Sequence, residues 1–464
     1  MIQSYINESV WGQKGRVMTK YEQIIDDIKA MIQAGDLVQG DRLPAIRRLS
    51  ETYGCNKDTV SKALLALKYQ NIIYSKEKSG TYVLQGNITS DSELSDVIDF
   101  GNAMPDERLF PYADFRQCLD QAIQAKQAKL FTYHLNHKGL DDLVDALYLY
   151  LKQEQVYTQK ERILITTGIQ QALYILSQIP FPNDKSVILI EQPTYHMMNQ
   201  LLVAEKIEFE TIHRDHKGVD LQELEQLFKT KSIKFFYTIP RFSNPLGAFY
   251  TAKQKQKIVS LAEQYDVYIV EDDYLSDFDV NHNNLPLHYY DVNQRVIYLK
   301  SFSKIIFPAL RIGCCVLPEA IIETFLAKKV LIDYDTNLIT QMALALYLDS
   351  GMFDKHRKEL AKIYRKKARA LHQTLRDLGY APNHFDKTLD TKFVFQLKDD
   401  AVIHEVERQL IQEKISVDFI VRNFIQLPQK HYIKIDVRNM TLKKIAENVK
   451  KLVAIIHESV RIDG

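Results

Sequence analysis

At 464 residues the chain exceeds what one ordinary compact core accommodates, so two or three domains are expected. A hydrophobic fraction of 46% and a charged fraction of 26% exclude a disordered or fibrous chain, and a formal net charge of +1 excludes a polycation that holds nucleic acid by bulk charge. No apolar run reaches the roughly 18 residues of a membrane-spanning helix, the N-terminus lacks the apolar stretch of a signal peptide, and Cys55, Cys118, Cys314 and Cys315 show neither CxxC nor metal spacing, so a reducing, cytoplasmic location and no metal are expected.

The first elements are helical. Ile24, Ile25, Ile28, Met31 and Ile32 recur at helical spacing between Lys20 and Ala34, with Gly35 as a stop. In GDRLPAIRRLSETYG, Pro44 lies near a helix start, Ile46, Leu49 and Tyr53 mark one face, and Gly54 closes it. NKDTVSKALLALKYQN continues as a third helix with Val60, Ala63, Leu64 and Leu67 inward, capped by Asn56 or Asp58. IIYSKEKSGTYVL then predicts two short strands around a turn. Two helices across a tight turn followed by a hairpin match a winged helix-turn-helix, whose second helix enters the major groove. Residues 37–85 carry eight Lys/Arg against four Asp/Glu, an excess that a solvated surface also explains.

The ordered run G-D-R-L-P-A-I-R-R-L, K-D-T-V-S-K-A-L and S-G-T-Y-V resembles the winged helix-turn-helix of the GntR regulators over residues 18–84. The resemblance implies that Arg47, Lys57, Thr59 and Gly80 approach an operator of double-stranded DNA, with Arg42 and Lys62 on phosphates. Lys57 stands where many members have Arg, and it offers a point charge rather than a bidentate fork. The alternative is a small helical domain with a solvated basic face. We take residues 1–84 as this domain, the polar segment 85–97 as a linker, and 98–464 as a second, large domain.

In the large domain, strand candidates 186–191, 233–239, 267–273 and 295–301 alternate with helical stretches, which predicts an α/β fold with a mainly parallel sheet. Ligands on such sheets gather at the carboxyl ends of strands. In chain order, ILITTGIQQAL offers the amides of Gly168, Ile169 and Gln170 at a helix N-terminus, a setting for phosphate. IEQPTYHMM carries Tyr195, IPRFSNPLG carries Asn244 in a turn, and VYIVEDDYLSDF carries Asp272 and Tyr274. Glu271, Asp272 and Asp273 alternate faces on a strand, so they do not converge on a metal. SFSKIIFPALRIG sets Lys304 at a strand end, where it could condense with an aldehyde while Ser301, Ser303 and Arg311 hold a phosphate dianion.

These runs, in this order, resemble fold-type I aminotransferases over nearly all of 98–464. The resemblance implies pyridoxal 5'-phosphate as cofactor, bound to Lys304 as a Schiff base. Asp272 would keep the pyridine nitrogen protonated, Tyr274 and Asn244 would meet the ring's 3-hydroxyl, and Tyr195 would stack on the ring. GNAMPDERLFP (101–111) together with the winged helix resembles the MocR subgroup of GntR regulators. That resemblance implies a homodimer and an operator response to pyridoxal phosphate or to an amine or amino-acid effector, rather than steady turnover. An aminotransferase that retains its activity and carries a DNA-binding domain is the alternative. Departures are present: Leu143-Val144 replaces the usual L-R pair, Arg241-Phe242 replaces Ser-His, and the tyrosine reaching the partner's phosphate is offset, with Tyr133 or His134 in its place. In YIKIDVRNM, Lys434, Asp436 and Arg438 would share one strand face, and either Lys434 or Arg438 could take an effector carboxylate.

Overall fold

Thr19 opens helix α1 (Lys20–Gln33) by a reciprocal box in which its hydroxyl accepts from Glu22 N and the Glu22 carboxylate accepts from the Thr19 amide. Helix α2 (Ile46–Tyr53) ends on Gly54, whose φ of 58° is left-handed and cheap only for glycine. Helix α3 (Lys57–Tyr69) starts behind Asn56, whose Oδ1 accepts from Thr59 N at 2.8 Å, so Asn56 rather than Asp58 is the cap. Strands β1 (Ile73–Lys76) and β2 (Gly80–Val83) pair antiparallel as a wing. Ile24, Leu49, Tyr53, Val60, Leu67 and Val83 share one buried cluster. Ile46, expected on the buried face, is 39% exposed, because the inward stripe of this short helix is the i, i+4 pair Leu49 and Tyr53.

This is a computed structural model that describes residues 19–69, 72–76, 79–84, 97–101, 104–125, 127–132, 136–279, 284–380, 390–398, 403–426 and 431–457. The chain divides into two units, Met1–Asp96 and Val97–Gly464. Among the described residues no helix is long and apolar enough to cross a membrane.

The second unit is built on an eight-stranded sheet. In chain order its strands are β3 (Ile163–Thr166), β4 (Val187–Gln192), β5 (Phe209–Asp215), β6 (Gly218–Val219), β7 (Ile233–Thr238), β8 (Tyr268–Asp272), β9 (Val296–Ser301) and β10 (Gly313–Val316). Their spatial order is β3-β10-β9-β8-β7-β4-β5-β6. The inner pairings from β9 through β8, β7 and β4 to β5 are parallel, while β10 runs antiparallel to both β9 and β3. Strand β3 therefore points the same way as the parallel set, and the carboxyl ends of β3, β4, β7, β8 and β9 share one edge. Both faces are covered, which is why the strands read as continuous apolar runs: Ile297 and Leu299 of β9 enter one cluster and Tyr298 another.

A long helix (Met352–Asp377) leads to a smaller layer in which β11 (Lys392–Gln396) pairs antiparallel with β12 (Tyr432–Asp436) beside a C-terminal helix (Leu442–Ile456). Ile98–Asp99 joins this layer through parallel pairing with Ile415–Ser416. Ile433 and Ile435 pack with Leu452, which turns Lys434 and Asp436 to the opposite face. Arg438 lies two residues beyond the end of β12, so it does not share a strand face with Lys434 as expected.

At the end of β4, Glu191 is buried and fully engaged. Its Oε1 accepts from Thr238 Oγ1 and Tyr250 Oη at 2.5 Å each, and its Oε2 accepts from Arg214 Nη1 at 2.6 Å. Arg214 stacks over the Tyr250 ring at 4.2 Å and also reaches the Ile239 carbonyl. Removing one partner of a buried pair leaves an uncompensated charge. Arg214→Leu should therefore cost about 3–5 kcal/mol in urea unfolding of the large unit. Arg47→Ala, which breaks an exposed pair with Glu51, should change stability by less than about 1 kcal/mol.

Candidate functional site

Along the shared carboxyl edge lies a cavity of about 460 Å³. One end of it is built by β3 and the helix that follows it, Ile169–Gln178, which begins behind Gly168 at φ 76° with no side-chain cap. Its first amides therefore lack a side-chain acceptor, and the positive end of the helix dipole faces the same way. Arg311 supplies the cation: its Nη2 donates to Gln170 Oε1 at 3.3 Å, and a Cβ at Gly168 would come within 3.0 Å of that nitrogen. Ser303 Oγ is buried without a hydrogen-bond partner among the described residues, and Ser301 Oγ accepts from Ser303 N. Gly168, Ile169, Gln170, Ser301, Ser303 and Arg311 all line this end. These amides, hydroxyls and one guanidinium form a polar cup at this end of the cavity.

The acids at the end of β8 diverge, as alternation requires. Glu271 accepts from the amides of Leu287 and His288 at 2.8 and 2.9 Å, on the face away from the cavity. Asp273 holds buried Arg241 through two nitrogens and also accepts from Tyr298 Oη. Arg241 is one of the departures noted in the sequence, and its place in the fold is this ion pair. Asp272 alone lines the cavity; it accepts from Tyr237 Oη at 2.8 Å, and its Oδ1 has no partner among the described residues. Burial pushes the Asp272 carboxyl up to about 7, the Tyr237 hydroxyl opposing only in part. Such an acid is poised to receive a cationic nitrogen. Tyr195, whose Oη accepts from Gln170 Nε2 at 3.1 Å, Tyr274, whose Oη donates to the Phe242 carbonyl, and Asn244 border the same space.

Two lysines lie near the end of β9, and the fold separates their roles. Lys300 is fully buried, bonded to Ser276 Oγ at 2.6 Å and Asp277 Oδ2 at 2.5 Å. Lys304 borders the cavity. Burial lowers its ammonium to about 8, aided by Arg438, Lys392 and Lys434 and opposed by Asp436. The far wall holds Lys434 and Arg438, and beside them residues that sequence reasoning did not single out: Lys392, His196, Asp418 and Arg422. His196 directly follows Tyr195, so adjacency to the motif was an available signal. The others belong to segments with no motif of their own. Tyr133 and His134 lie outside the described residues.

In the N-terminal unit, Arg47, Arg48, Lys57 and Lys62 are exposed on α2 and α3. Arg42 bridges to β2 and lies against the wing turn, where a Cβ at Gly80 (φ 129°) would come within 2.8 Å of its Nε. Thr59 is half-buried, and its hydroxyl is already donated to Asn56 Oδ1 at 2.6 Å.

The depressed ammonium of Lys304 has a measurable consequence. A lysine lowered to about 8 loses its proton as pH rises through 8, whereas an ordinary lysine does so near 10.4. With limiting formaldehyde and cyanoborohydride, methylation of the Lys304 peptide should reach half its maximum near pH 8, while that of Lys300 stays low throughout. A half-maximum above pH 10 would contradict this account of the site's electrostatics.

The aminotransferase class I and II family matches residues 96–452, and the bacterial regulatory proteins of the gntR family match residues 20–83. The chain is 41% identical over 447 residues to an uncharacterized HTH-type transcriptional regulator, YcxD, of Bacillus subtilis, covering 94% of this chain and 100% of the relative. It is 28% identical to aromatic-amino-acid aminotransferase 1 of Thermococcus litoralis, covering 80% of this chain and 90% of that one. A solved structure of Pyrococcus horikoshii kynurenine aminotransferase, in complex with PMP, superposes with a TM-score of 0.71 at 26% identity, covering 79% and 92% of the two chains. The chain belongs to the aminotransferase class I and II family and, with a GntR helix-turn-helix ahead of that domain, to the MocR subgroup of transcription regulators.

Proposed function

We propose that this regulator binds pyridoxal 5'-phosphate in the cavity, and that the cofactor, alone or with an amine or amino-acid effector, alters its affinity for a DNA operator. The observation that carries the reading is the convergence of Lys304, Asp272 and the Arg311 cup on one cavity in a chain that also bears a winged helix. When bound, the cofactor supplies a carbonyl carbon that condenses with primary amines and a ring that accepts electron density. The chain's own residues do the rest. Arg311, Ser301, Ser303 and the amides from Gly168 to Gln170 hold the phosphate. Asp272 shares a proton with the ring nitrogen, Tyr274 and Asn244 meet the ring hydroxyl, and Tyr195 covers one face. Lys304 is partly neutral near pH 8, as a nucleophile must be. Borohydride treatment of the loaded protein should leave the cofactor's mass on the Lys304 peptide, and cofactor mass on another lysine would overturn the assignment.

On the DNA side, Arg42, Arg47, Lys57 and Lys62 are the proposed contacts, with Gly80 admitting the wing. Thr59 approaches DNA only through the remaining acceptor capacity of its hydroxyl. Arg47→Ala and Lys57→Ala should each weaken operator binding, and loss of a phosphate contact should lower the salt slope by about one. Unchanged affinity in both would contradict the placement.

A ligand moves operator affinity only by its differential affinity for two states of the protein, and couplings of about 1–3 kcal/mol, or roughly 5–150-fold, are typical. Operator binding by the ligand-free protein, the cofactor-loaded protein and Lys304→Ala should differ within that range. The likeness to an aromatic-amino-acid aminotransferase favours a second reading, that of a working transaminase. Equal DNA binding by all three forms, with rapid turnover in a keto-acid-coupled assay, would establish that reading instead. We further propose that the regulator acts as a homodimer.

A further inference from the structure

We propose that Tyr237, which stands behind the cavity wall, is a positioning residue for the cofactor's ring nitrogen: its hydroxyl fixes one oxygen of Asp272 and so leaves the other to meet the ring. The inference rests on the cofactor reading above and concerns how this chain holds a proton at that nitrogen.

The sheet places the pair. Tyr237 on β7 is the register partner of Val270 on β8, and both side chains enter one buried cluster. Asp272 lies two residues beyond Val270, so alternation puts it on the same face, within diagonal reach of a long aromatic side chain. The next register pair, Thr238 and Glu271, points the other way: Thr238 serves Glu191, and Glu271 takes the amides of Leu287 and His288. Tyr237 is fully buried in one cluster with Ile190, Val270 and Leu299, and it is not among the residues that line the cavity. Close packing thereby clamps its ring, and its Oη donates to Asp272 Oδ2 at 2.8 Å.

The three consecutive acids of β8 and its end differ in what they receive. Glu271 receives two amides, and Asp273 receives the Arg241 guanidinium with the Tyr298 hydroxyl, so both are settled inside the protein. Among the described residues Asp272 receives one neutral hydroxyl on Oδ2, and its Oδ1 has no partner. Lys300, the cation whose field reaches Asp272, is bonded to Ser276 and Asp277. A cation in place of the Tyr237 hydroxyl would compensate the carboxylate and take away its basicity. A phenol fixes its orientation and leaves it a base strong enough to share a proton with a pyridine nitrogen. Burial, and then the neighbouring Asp272 carboxylate, pushes the Tyr237 hydroxyl well above its ordinary range, so it stays the donor.

The test uses full-length protein, pyridoxal 5'-phosphate, and an analogue of it in which carbon replaces the ring nitrogen. Tyr237→Phe removes one oxygen and keeps the ring. It should weaken cofactor binding about 10- to 100-fold, the range of one hydrogen bond to a charged group. The analogue has no nitrogen for Asp272 to meet, so its affinity should change by less than about threefold. A general packing defect would weaken both ligands alike. In protein carrying Asp272→Asn, adding Tyr237→Phe should change cofactor affinity by less than about twofold, because no carboxylate remains to be oriented. Nitrogen NMR of ring-labelled cofactor reports where the proton lies, and Tyr237→Phe should move the signal from the pyridinium toward the free pyridine position. A ring-fluorinated tyrosine at position 237, a stronger donor of nearly the same shape, should move it the opposite way, and it decides the question if Tyr237→Phe does not fold. Equal loss of both ligands, or an unmoved nitrogen signal, overturns the proposal. Failure of the wild-type protein to bind the cofactor sinks the underlying cofactor reading. Normal wild-type binding with no effect of either variant sinks this inference alone.

Discussion

Charge withdrawn from water must meet an opposite charge or a set of hydrogen bonds, and at the carboxyl edge of the central sheet that constraint organises the neighbourhood. Five strand ends deliver acids, lysines and hydroxyls to one line. Most are satisfied within the protein: Glu191 by Arg214, Thr238 and Tyr250, Asp273 by Arg241 and Tyr298, and Lys300 by Ser276 and Asp277. These closed networks form a rigid frame. At the cavity, Asp272 Oδ1, Ser303 Oγ and Arg438 Nη1 have no partner among the described residues. Other buried polar atoms also lack partners among the described residues, Arg214 Nε and both ring nitrogens of His288 among them, but these three belong to residues that line a cavity a ligand can enter.

The same desolvation tunes the reactive groups. Asp272 and Lys304 are both pushed toward neutrality, the carboxyl upward and the ammonium downward, because burial penalises either charge. Each is then prepared for a partner that restores what water supplied. Asp272 suits a cationic ring nitrogen, and Lys304 suits a carbon electrophile that takes its lone pair. The N-terminal unit follows the opposite rule. Its cations Arg47, Lys57 and Lys62 remain exposed, where they are hydrated and available to a polyanion. The two units thus treat charge differently: one buries and neutralises it, the other leaves it hydrated at the surface.

Much of this was legible in the residues. Short apolar runs (VILI, FFY, VYIV and VIYL) marked β4, β7, β8 and β9, since strands covered on both faces favour apolar residues throughout. The resemblance, more than any periodicity, marked Lys304, Asp272, Tyr195, Asn244 and the Gly168 turn, and the fold brings all five to one cavity. Helix capping was less clear: Asn56 and Asp58 were equally suitable by composition, and only the position of the Thr59 amide separates them.

By itself the sequence determined the two-part organisation, the α/β architecture of the large unit and the motifs that stand at its strand ends, because periodicity and turn chemistry are local properties. Only the tertiary structure decided what depends on meeting across the chain. It buries Lys300 against Asp277 and brings Lys304 to the cavity, matches the unexpected Arg241 to Asp273, and occupies Lys434 with Asp418 while carrying Arg438 past the end of its strand. Lys392, Asp418 and Arg422 join the same wall from segments without any recognisable pattern. The reason is physical: a charged side chain acquires its role from the partner that compensates it, and the partners of Lys300, Arg241 and Lys434 lie 23, 32 and 16 residues away in the chain.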